Sequence, residues 1–232
     1  MYERTIICLA NSRKPPSGRC IAGKELGGGL AGQWLRPVSA RETREVSEEE
    51  RRYETGEKVQ LLDIVTVPLI SHSPIEHQTE NHILAEDYYW TKEGTATWDQ
   101  VSAHIDQYDP KFWIQAESTY YGLNDKVSAL ATAGIGSSLK LIDPINLRLQ
   151  VAVDQGFEGR PSRRRLRAYF DYHHRSYRVI VTDPETEDHF LRQAEGFYPI
   201  ENSILCISLA EPQYGYASRL VASIITPDRC GA

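Results

Sequence analysis

The 232-residue chain has no apolar run near the roughly 18 to 20 residues that a membrane-spanning helix requires. Its first apolar stretch covers only residues 6–10, and Glu3 stands where a secretory leader would carry basic residues. Neither a membrane anchor nor a signal peptide is indicated. We therefore expect a cytoplasmic protein that does not associate with membranes.

Cysteine is scarce, and its four copies, Cys8, Cys20, Cys206 and Cys230, are far apart. No pair shows the CxxC spacing typical of zinc sites, and a disulfide framework would need a secretory context. We expect reduced thiols, with Cys8 and Cys206 buried because they lie inside apolar runs. A thiol nucleophile at Cys8 or Cys20 would require a nearby histidine, which the sequence does not place.

Motifs for phosphate, metal and acyl chemistry are missing as well. The three glycines at 27–29 fit neither GxxxxGK[ST] nor GxGxxG, and we interpret them as a hairpin loop. His72, His77 and His82 are spaced by five residues, which turns successive side chains to different faces of one helix or strand. Ser208 lacks the GxSxG elbow. We therefore predict no metal site and no cofactor.

An enzymatic alternative is a nuclease or other hydrolase whose Mg²⁺ would be bound by acidic side chains. The candidates are Asp63, Glu80, Asp171 and Asp183, but no two of them stand at a characteristic spacing with a lysine. We predict no catalytic residues and keep a hydrolase as the third hypothesis.

Short β patterns separated by glycine- and proline-rich turns occupy both halves of the chain. They predict strands at 4–10, 19–26, 33–39, 58–70, 139–153, 163–172, 176–183, 204–212 and 218–226. Residues 39–57 predict a charged surface helix or loop, and 183–196 predict one short helix. Strands and helices do not alternate regularly, so we expect a mainly β protein with short helices and two small β-barrels in tandem. We place the first barrel at 1–85, a helical or irregular linker or insert at 86–137, and the second barrel at 138–232.

The stretch "PSRRRLRAYFDYHHRSYRV" at 161–179 carries the strongest functional signal. Residues 160–178 hold seven arginines, among them Arg160, against one acid, although the whole chain has a net charge of −6. Strand residues alternate between two faces, so Leu166, Ala168 and Phe170 would form an apolar face. Arg165, Arg167 and Tyr169 would form the opposite face, and residues 171–176 the turn.

Arginine and tyrosine together suit a single strand of nucleic acid, because guanidinium groups pair with phosphates and aromatic rings stack on unpaired bases. The predicted contacts in this hairpin are Arg163, Arg164, Arg165, Arg167, Tyr169, Tyr172, Arg175 and Arg178. A second cluster in the first half adds Arg13, Lys14, Arg19, Trp34 and Arg36. The alternative is that the arginines pair with the protein's own acids, such as Glu185, Glu187, Asp188 and those at 42–57.

Several motifs of the chain form a recognisable set: "CLANSRKPPSGRCIAG", "WLRPVS", "LLDIVTVPL" followed by "HQTEN", "RAYFDYHHRSYRVIVTDP" and "LCISLAEPQYGYASRLVASII". Together they resemble the bacterial dual OB-containing domain family. The resemblance follows the order of the chain over nearly its whole length. It implies two OB-like barrels in tandem and nucleic-acid binding, and it suggests partner proteins in bacterial defence or DNA-processing loci. It supplies no catalytic residues.

Three hypotheses follow for the function. The first is a non-enzymatic nucleic-acid-binding or sensing module that holds single-stranded DNA or RNA on a basic, aromatic β face. The second is an adaptor that docks a protein partner in a multiprotein bacterial system. The third is the hydrolase described above.

Overall fold

The computed structural model describes residues 1–113, 116–156 and 161–231. The protein is mainly β and divides into two compact units. Unit 1 comprises the described residues of Met1–Ile105, Gly136–Leu139 and Pro227–Ala232, and unit 2 those of Asp106–Ile135 and Lys140–Thr226. Within the described residues, no helix has the length and apolarity to cross a bilayer.

Unit 1 contains a closed five-stranded barrel. Its elements are β1 (Tyr2–Lys14), β2 (Gly18–Glu25), β3 (Trp34–Val38), β4 (Asp63–His72), β5 (Asn81–Leu84), β6 (Thr91–Thr95) and the helix α1 (Trp98–Ser102). The strand order is β1-β2-β3-β5-β4, and β4 pairs back with β1, while β6 lies on the outer side of β4. β3 and β5 are parallel, and the other pairs are antiparallel.

The barrel of unit 1 closes around apolar side chains of β1 and β4. Ile6 and Cys8 pack in one cluster with Val65 and Val67, all fully buried. A Cβ on Gly23 would lie 2.0 Å from the carbonyl oxygen of Ile7, so glycine is required for this close pairing of β1 and β2.

Unit 2 repeats the same strand order. Its elements are α2 (Pro110–Trp113), β7 (Lys126–Ser128), α3 (Ala129–Thr132), β8 (Leu139–Ile142), β9 (Ile145–Asp154), β10 (Arg163–Tyr172), β11 (Arg175–Val181), α4 (Pro184–Phe190), β12 (Gly196–Pro199), β13 (Ile204–Leu209) and β14 (Tyr216–Ile225). The sheet order is β12-β9-β10-β11-β14-β13-β8, and β7 pairs with β14. Within it, β9-β10-β11-β14-β13 corresponds to β1-β2-β3-β5-β4 of unit 1.

The chain between 139 and 154 contributes strands to opposite sides of the unit 2 sheet. Only Asp143 and Pro144 separate β8 from β9, and β8 pairs with β13 while β9 pairs with β10. β11 and β14 are parallel, as β3 and β5 are in unit 1. The prediction of two OB-like barrels is confirmed.

Most predicted strands are present. Residues 39–57 form turns, which is the loop alternative of the predicted helix or loop, and Ser47 and Glu50 cap each other's backbone N–H groups there. The predicted linker contains the strands β6 and β7 in addition to short helices. The predicted helix at 183–196 is α4, which begins after the N-cap Asp183 and carries Pro184 in its first turn. The placement of the first barrel at 1–85, the linker or insert at 86–137 and the second barrel at 138–232 stays a prediction.

Arg36 of β3 forms a buried ion pair rather than a surface contact. Its Nη2 lies 3.1 Å from Oε1 of Glu80, and both side chains are almost fully buried. The same guanidinium donates to Oγ of Ser138 at 2.7 Å, and the Ser138 hydroxyl donates to Glu80. Arg36 is therefore not the surface contact with nucleic acid that the sequence predicts, because its guanidinium is buried in an ion pair within unit 1.

We predict that Glu80→Ala lowers the free energy of unfolding by about 3 to 5 kcal/mol, because it leaves the buried charge of Arg36 unpaired. Urea unfolding monitored by tryptophan fluorescence measures the loss. Glu201→Ala is the matched control, since Glu201 is exposed and its removal should leave the midpoint nearly unchanged. Equal urea midpoints for Glu80→Ala and the control variant would contradict the stabilising role of the buried Arg36–Glu80 pair.

Candidate functional site

The β10–β11 hairpin has the alternation that the sequence predicts. Leu166, Ala168 and Phe170 are buried in the core of unit 2. The turn is tighter than the predicted 171–176, because only His173 and His174 connect the strands, with φ of 44° and 64°. Positive φ at both central residues is the turn geometry that matches the twist of antiparallel strands.

Tyr172 lies on the buried face, because the alternation continues to the end of β10. Its ring packs 4.9 Å from that of Trp113, and only 7% of the residue is exposed. Burial raises the pKa of Tyr172 to about 12. We therefore do not retain Tyr172 as a ligand contact.

Arg167 is buried on the outer side of the sheet. Its two terminal nitrogens donate to the two carboxylate oxygens of Asp154 at 2.7 and 2.5 Å. The ring of Tyr121 covers the guanidinium at 5.4 Å. A bidentate, covered guanidinium has no room for a phosphate, so Arg167 stabilises the fold of unit 2.

Arg164 closes the end of a helix. Its guanidinium donates to the carbonyl oxygens of Leu191 and Gln193, just after α4, and lies 3.8 Å from Glu195. A cation at the C-terminus of a helix satisfies carbonyl groups that the helix leaves unpaired. Self-neutralisation thus holds for Arg164 and Arg167, although with Glu195 and Asp154 rather than with the predicted acids.

The other arginines of the hairpin remain near solvent. Arg163 and Arg175 are exposed, and Arg165 and Arg178 are partly buried. Arg160 lies outside the described residues. The basic surface is therefore smaller than the sequence suggests.

An aromatic and basic surface crosses the outer face of four adjacent strands. We call it the Tyr169 face and define it as Arg148, Tyr169, Arg178 and Phe197. The guanidinium carbons of Arg148 and Arg178 lie 6.0 and 5.6 Å from the centre of the Tyr169 ring. The Phe197 ring meets Tyr169 edge-on at 5.2 Å and is 51% exposed. Such pairs of arginine and aromatic ring are favourable contacts that keep both groups at the surface.

Strand register places these side chains together. Tyr169 of β10 stands opposite Arg148 of β9 and Arg178 of β11. Phe197 of β12 stands opposite Gln150, whose amide oxygen accepts a hydrogen bond from the Tyr169 hydroxyl at 2.8 Å. The sequence prediction included Tyr169 and Arg178 but missed Arg148 and Phe197.

A groove of about 420 Å³ adjoins the Tyr169 face. Its lining includes Arg148, Tyr169, Asp171, Asn146 and Ser176. Cationic, aromatic and hydrogen-bonding groups therefore meet in one concave region of unit 2, which is the combination that orients a planar polar ligand.

The predicted cluster of the first half is less compact. Arg13 and Arg19 face each other in the β1–β2 hairpin. Trp34 pairs with Lys24, which lies about 16 Å along β2 from Arg19 at the usual rise of about 3.3 Å per residue. The Lys24 ammonium stands over the Trp34 ring at 5.4 Å. Trp34 is thus separated from the arginines that the sequence groups with it.

Basic groups of that hairpin act on nearby acids. Burial opposes the lowered pKa of Glu45, a hydrogen bond from Thr43 contributes most to lowering it, and the charge of Lys14 contributes least. The Arg19 charge acts in the same direction on Glu48, after the larger effect of Lys58. Unit 1 offers a weaker candidate surface than the Tyr169 face.

The expectation that the three histidines point to different faces of one element is wrong for His72 and His82. His72 and His82 lie on two strands rather than one, stand opposite each other, and bring their rings to 4.8 Å. Burial, followed by the charge of His72, lowers the pKa of His82 to about 4. Across the residues that the structure describes, no group of three or more His, Cys, Asp or Glu side chains is placed to hold a metal ion.

Most of the candidate acids and thiols have internal partners. Asp63 accepts a hydrogen bond from Tyr53 and pairs with Lys92 at 2.6 Å, and Asp183 accepts one from the hydroxyl of Thr186. Burial raises the pKa of the Cys8 thiol, which disfavours the thiolate that a nucleophile needs. Asp171 also accepts hydrogen bonds from Ser176 and Asn146, but it differs in position, because it lines the groove.

We predict that Arg167→Ala destabilises unit 2 by about 3 kcal/mol, because Asp154 would lose both hydrogen bonds of its partner. Urea unfolding followed by circular dichroism measures the change. Arg165→Ala, at a partly exposed position on the same strand, should change the free energy of unfolding by less than about 0.5 kcal/mol. A larger effect of Arg165→Ala than of Arg167→Ala would contradict this assignment.

Comparison with known proteins gives one match. Residues 4–224 match the family described as the Dual OB-containing domain. No curated protein and no solved structure matches the chain. OB-folds often bind oligonucleotides or oligosaccharides on their sheet face and adjoining loops. Since the match covers nearly all of the sequence and both units have the strand order described above, the chain belongs to the Dual OB-containing domain family.

Proposed function

We propose that the protein binds single-stranded nucleic acid on the Tyr169 face of unit 2. The arrangement of Arg148 and Arg178 on either side of Tyr169, with Phe197 beside it, carries this proposal. The face lies on adjacent strands whose other sides are fixed in the core. Its geometry is therefore available without a rearrangement of the sheet.

Aromatic rings supply the part of the affinity that does not depend on charge. Phe197 is half exposed, and Tyr169 is partly exposed beside it. Each base stacked on an aromatic side chain contributes on the order of 1 to 3 kcal/mol. Paired bases in a duplex are already stacked on each other, so this contribution favours single strands.

Arginines supply the salt-dependent part. Arg148 is exposed on β9, and Arg163 and Arg165 continue the outer face of β10. Each phosphate that a guanidinium neutralises releases counterions from the strand. Local charge can support this binding although the whole chain is acidic, because the potential is set by nearby groups at physiological ionic strength.

We predict that Phe197→Ala weakens binding of a labelled single-stranded 12-mer by roughly 5- to 100-fold, the equivalent of one stacked base. Fluorescence anisotropy at low salt measures the dissociation constant. Tyr214→Ala is the control, since Tyr214 is 98% exposed and lies in the loop between β13 and β14, outside the strands that form the Tyr169 face. Equal losses in the two variants would show that the aromatic contacts are not at the Tyr169 face.

We predict that Arg148→Gln lowers the slope of log affinity against log salt by about 0.7, because one phosphate contact is lost. The same titration, repeated at several salt concentrations, measures the slope. Arg192→Gln removes an equal charge from an exposed position outside the face and should leave the slope unchanged.

A wild-type protein that binds no oligonucleotide at low salt would overturn the proposal and favour the adaptor hypothesis.

A further inference from the structure

Asp171 is an acid at the edge of a surface that otherwise suits anions. It lies two residues from Tyr169 on β10 and lines the same groove. A carboxylate repels phosphates, so its position there points to a different part of a nucleic acid. The amino and imino groups of the bases are the hydrogen-bond donors that a carboxylate accepts.

Two hydrogen bonds fix the direction of this carboxylate. The Ser176 hydroxyl donates to Oδ1 at 2.6 Å, and the Asn146 amide donates to Oδ2 at 2.9 Å. Together they lower the pKa of Asp171 below its ordinary value, with the Ser176 bond as the largest cause. The group is therefore ionised at neutral pH, and each oxygen keeps a further lone pair for a ligand.

A β-bulge brings Asn146 to this position. Tyr169 pairs with Arg148, but Asp171 pairs with Ile145, so β9 has an extra residue between the two pairs. Asn146 lies in that bulge with φ of 56°, a conformation that few residues other than glycine adopt. Bulges of this kind redirect side chains and are frequent next to binding sites.

We propose that Asp171 recognises guanine in the bound strand by accepting hydrogen bonds from its N1–H and 2-amino groups. The inference rests on the proposed function, because the base would be bound on the Tyr169 face. Residues two apart on a strand are about 7 Å apart. A base held beside the Tyr169 ring can therefore extend its Watson–Crick edge toward the carboxylate.

Guanine is the base whose Watson–Crick edge matches an ionised carboxylate. It presents two adjacent donors, which meet two acceptor oxygens in a bidentate pair. Adenine and cytosine present one amino donor beside an acceptor nitrogen, and uracil and thymine present one N–H between two carbonyl groups. Asp171 is acceptor-only when ionised, so each of these bases would place an acceptor against it.

The test compares a labelled 12-mer of thymidine with the same strand carrying one central guanine or one central inosine. Inosine retains N1–H and lacks the 2-amino group. The wild type should bind the guanine strand about tenfold more tightly than the thymidine strand, within the range measured for bidentate base contacts, and the inosine strand in between.

Two variants separate recognition from charge. Asp171→Asn should remove the guanine preference and still bind the thymidine strand. Ser176→Ala keeps the charge but frees the carboxylate, so it should reduce the preference without weakening thymidine binding. Glu201→Gln is the control for loss of one exposed acid and should keep the full preference.

The outcomes distinguish this inference from the proposed function. If the wild type binds all three strands equally, guanine recognition is overturned and nucleic-acid binding stands. If Asp171→Asn keeps the tenfold preference, another group reads the base and the inference is also overturned. If no strand binds, the proposed function fails and the inference fails with it.

Discussion

The packing of one side of the β9–β10–β11 sheet into the core of unit 2 decides which side chains reach solvent. Because strand residues alternate, burial of Leu166, Ala168 and Phe170 turns Tyr169 outward. Neighbouring strands then place Arg148 and Arg178 at the same level on either side of it. A slip of one residue in this register would reverse every side chain and remove the face.

The arginines of unit 2 serve two different purposes. Arg164 and Arg167 are used within the fold, one at the end of α4 and one against Asp154. Arg148 lies beside aromatic rings at the surface, whereas Arg178 lies beside Tyr169, is partly buried and also donates to the Tyr169 hydroxyl and the Gly122 carbonyl oxygen. The composition of the hairpin therefore overstates its free positive charge, and a smaller set of side chains carries the proposed interaction with nucleic acid.

The fold was largely predictable from local patterns, and the site only in part. Period-two alternation between 163 and 181 identified the hairpin and its buried face, because that signal is local. The roles of Arg36 and Arg167 were not predictable, since Glu80, Ser138 and Asp154 reach them only through pairing of distant strands. Phe197 was missed for the same reason, because its contacts with Tyr169 depend on β12 joining β9.

We expect nucleic acid to bind at one place on the protein, the Tyr169 face. Two-dimensional ¹H–¹⁵N NMR of the full chain, titrated with a short single-stranded oligonucleotide, locates that place most directly. The predicted result is a set of chemical-shift changes centred on Arg148, Tyr169, Arg178 and Phe197. Changes centred on the Arg13–Arg19 hairpin of unit 1, or no changes at saturating oligonucleotide, would contradict the account.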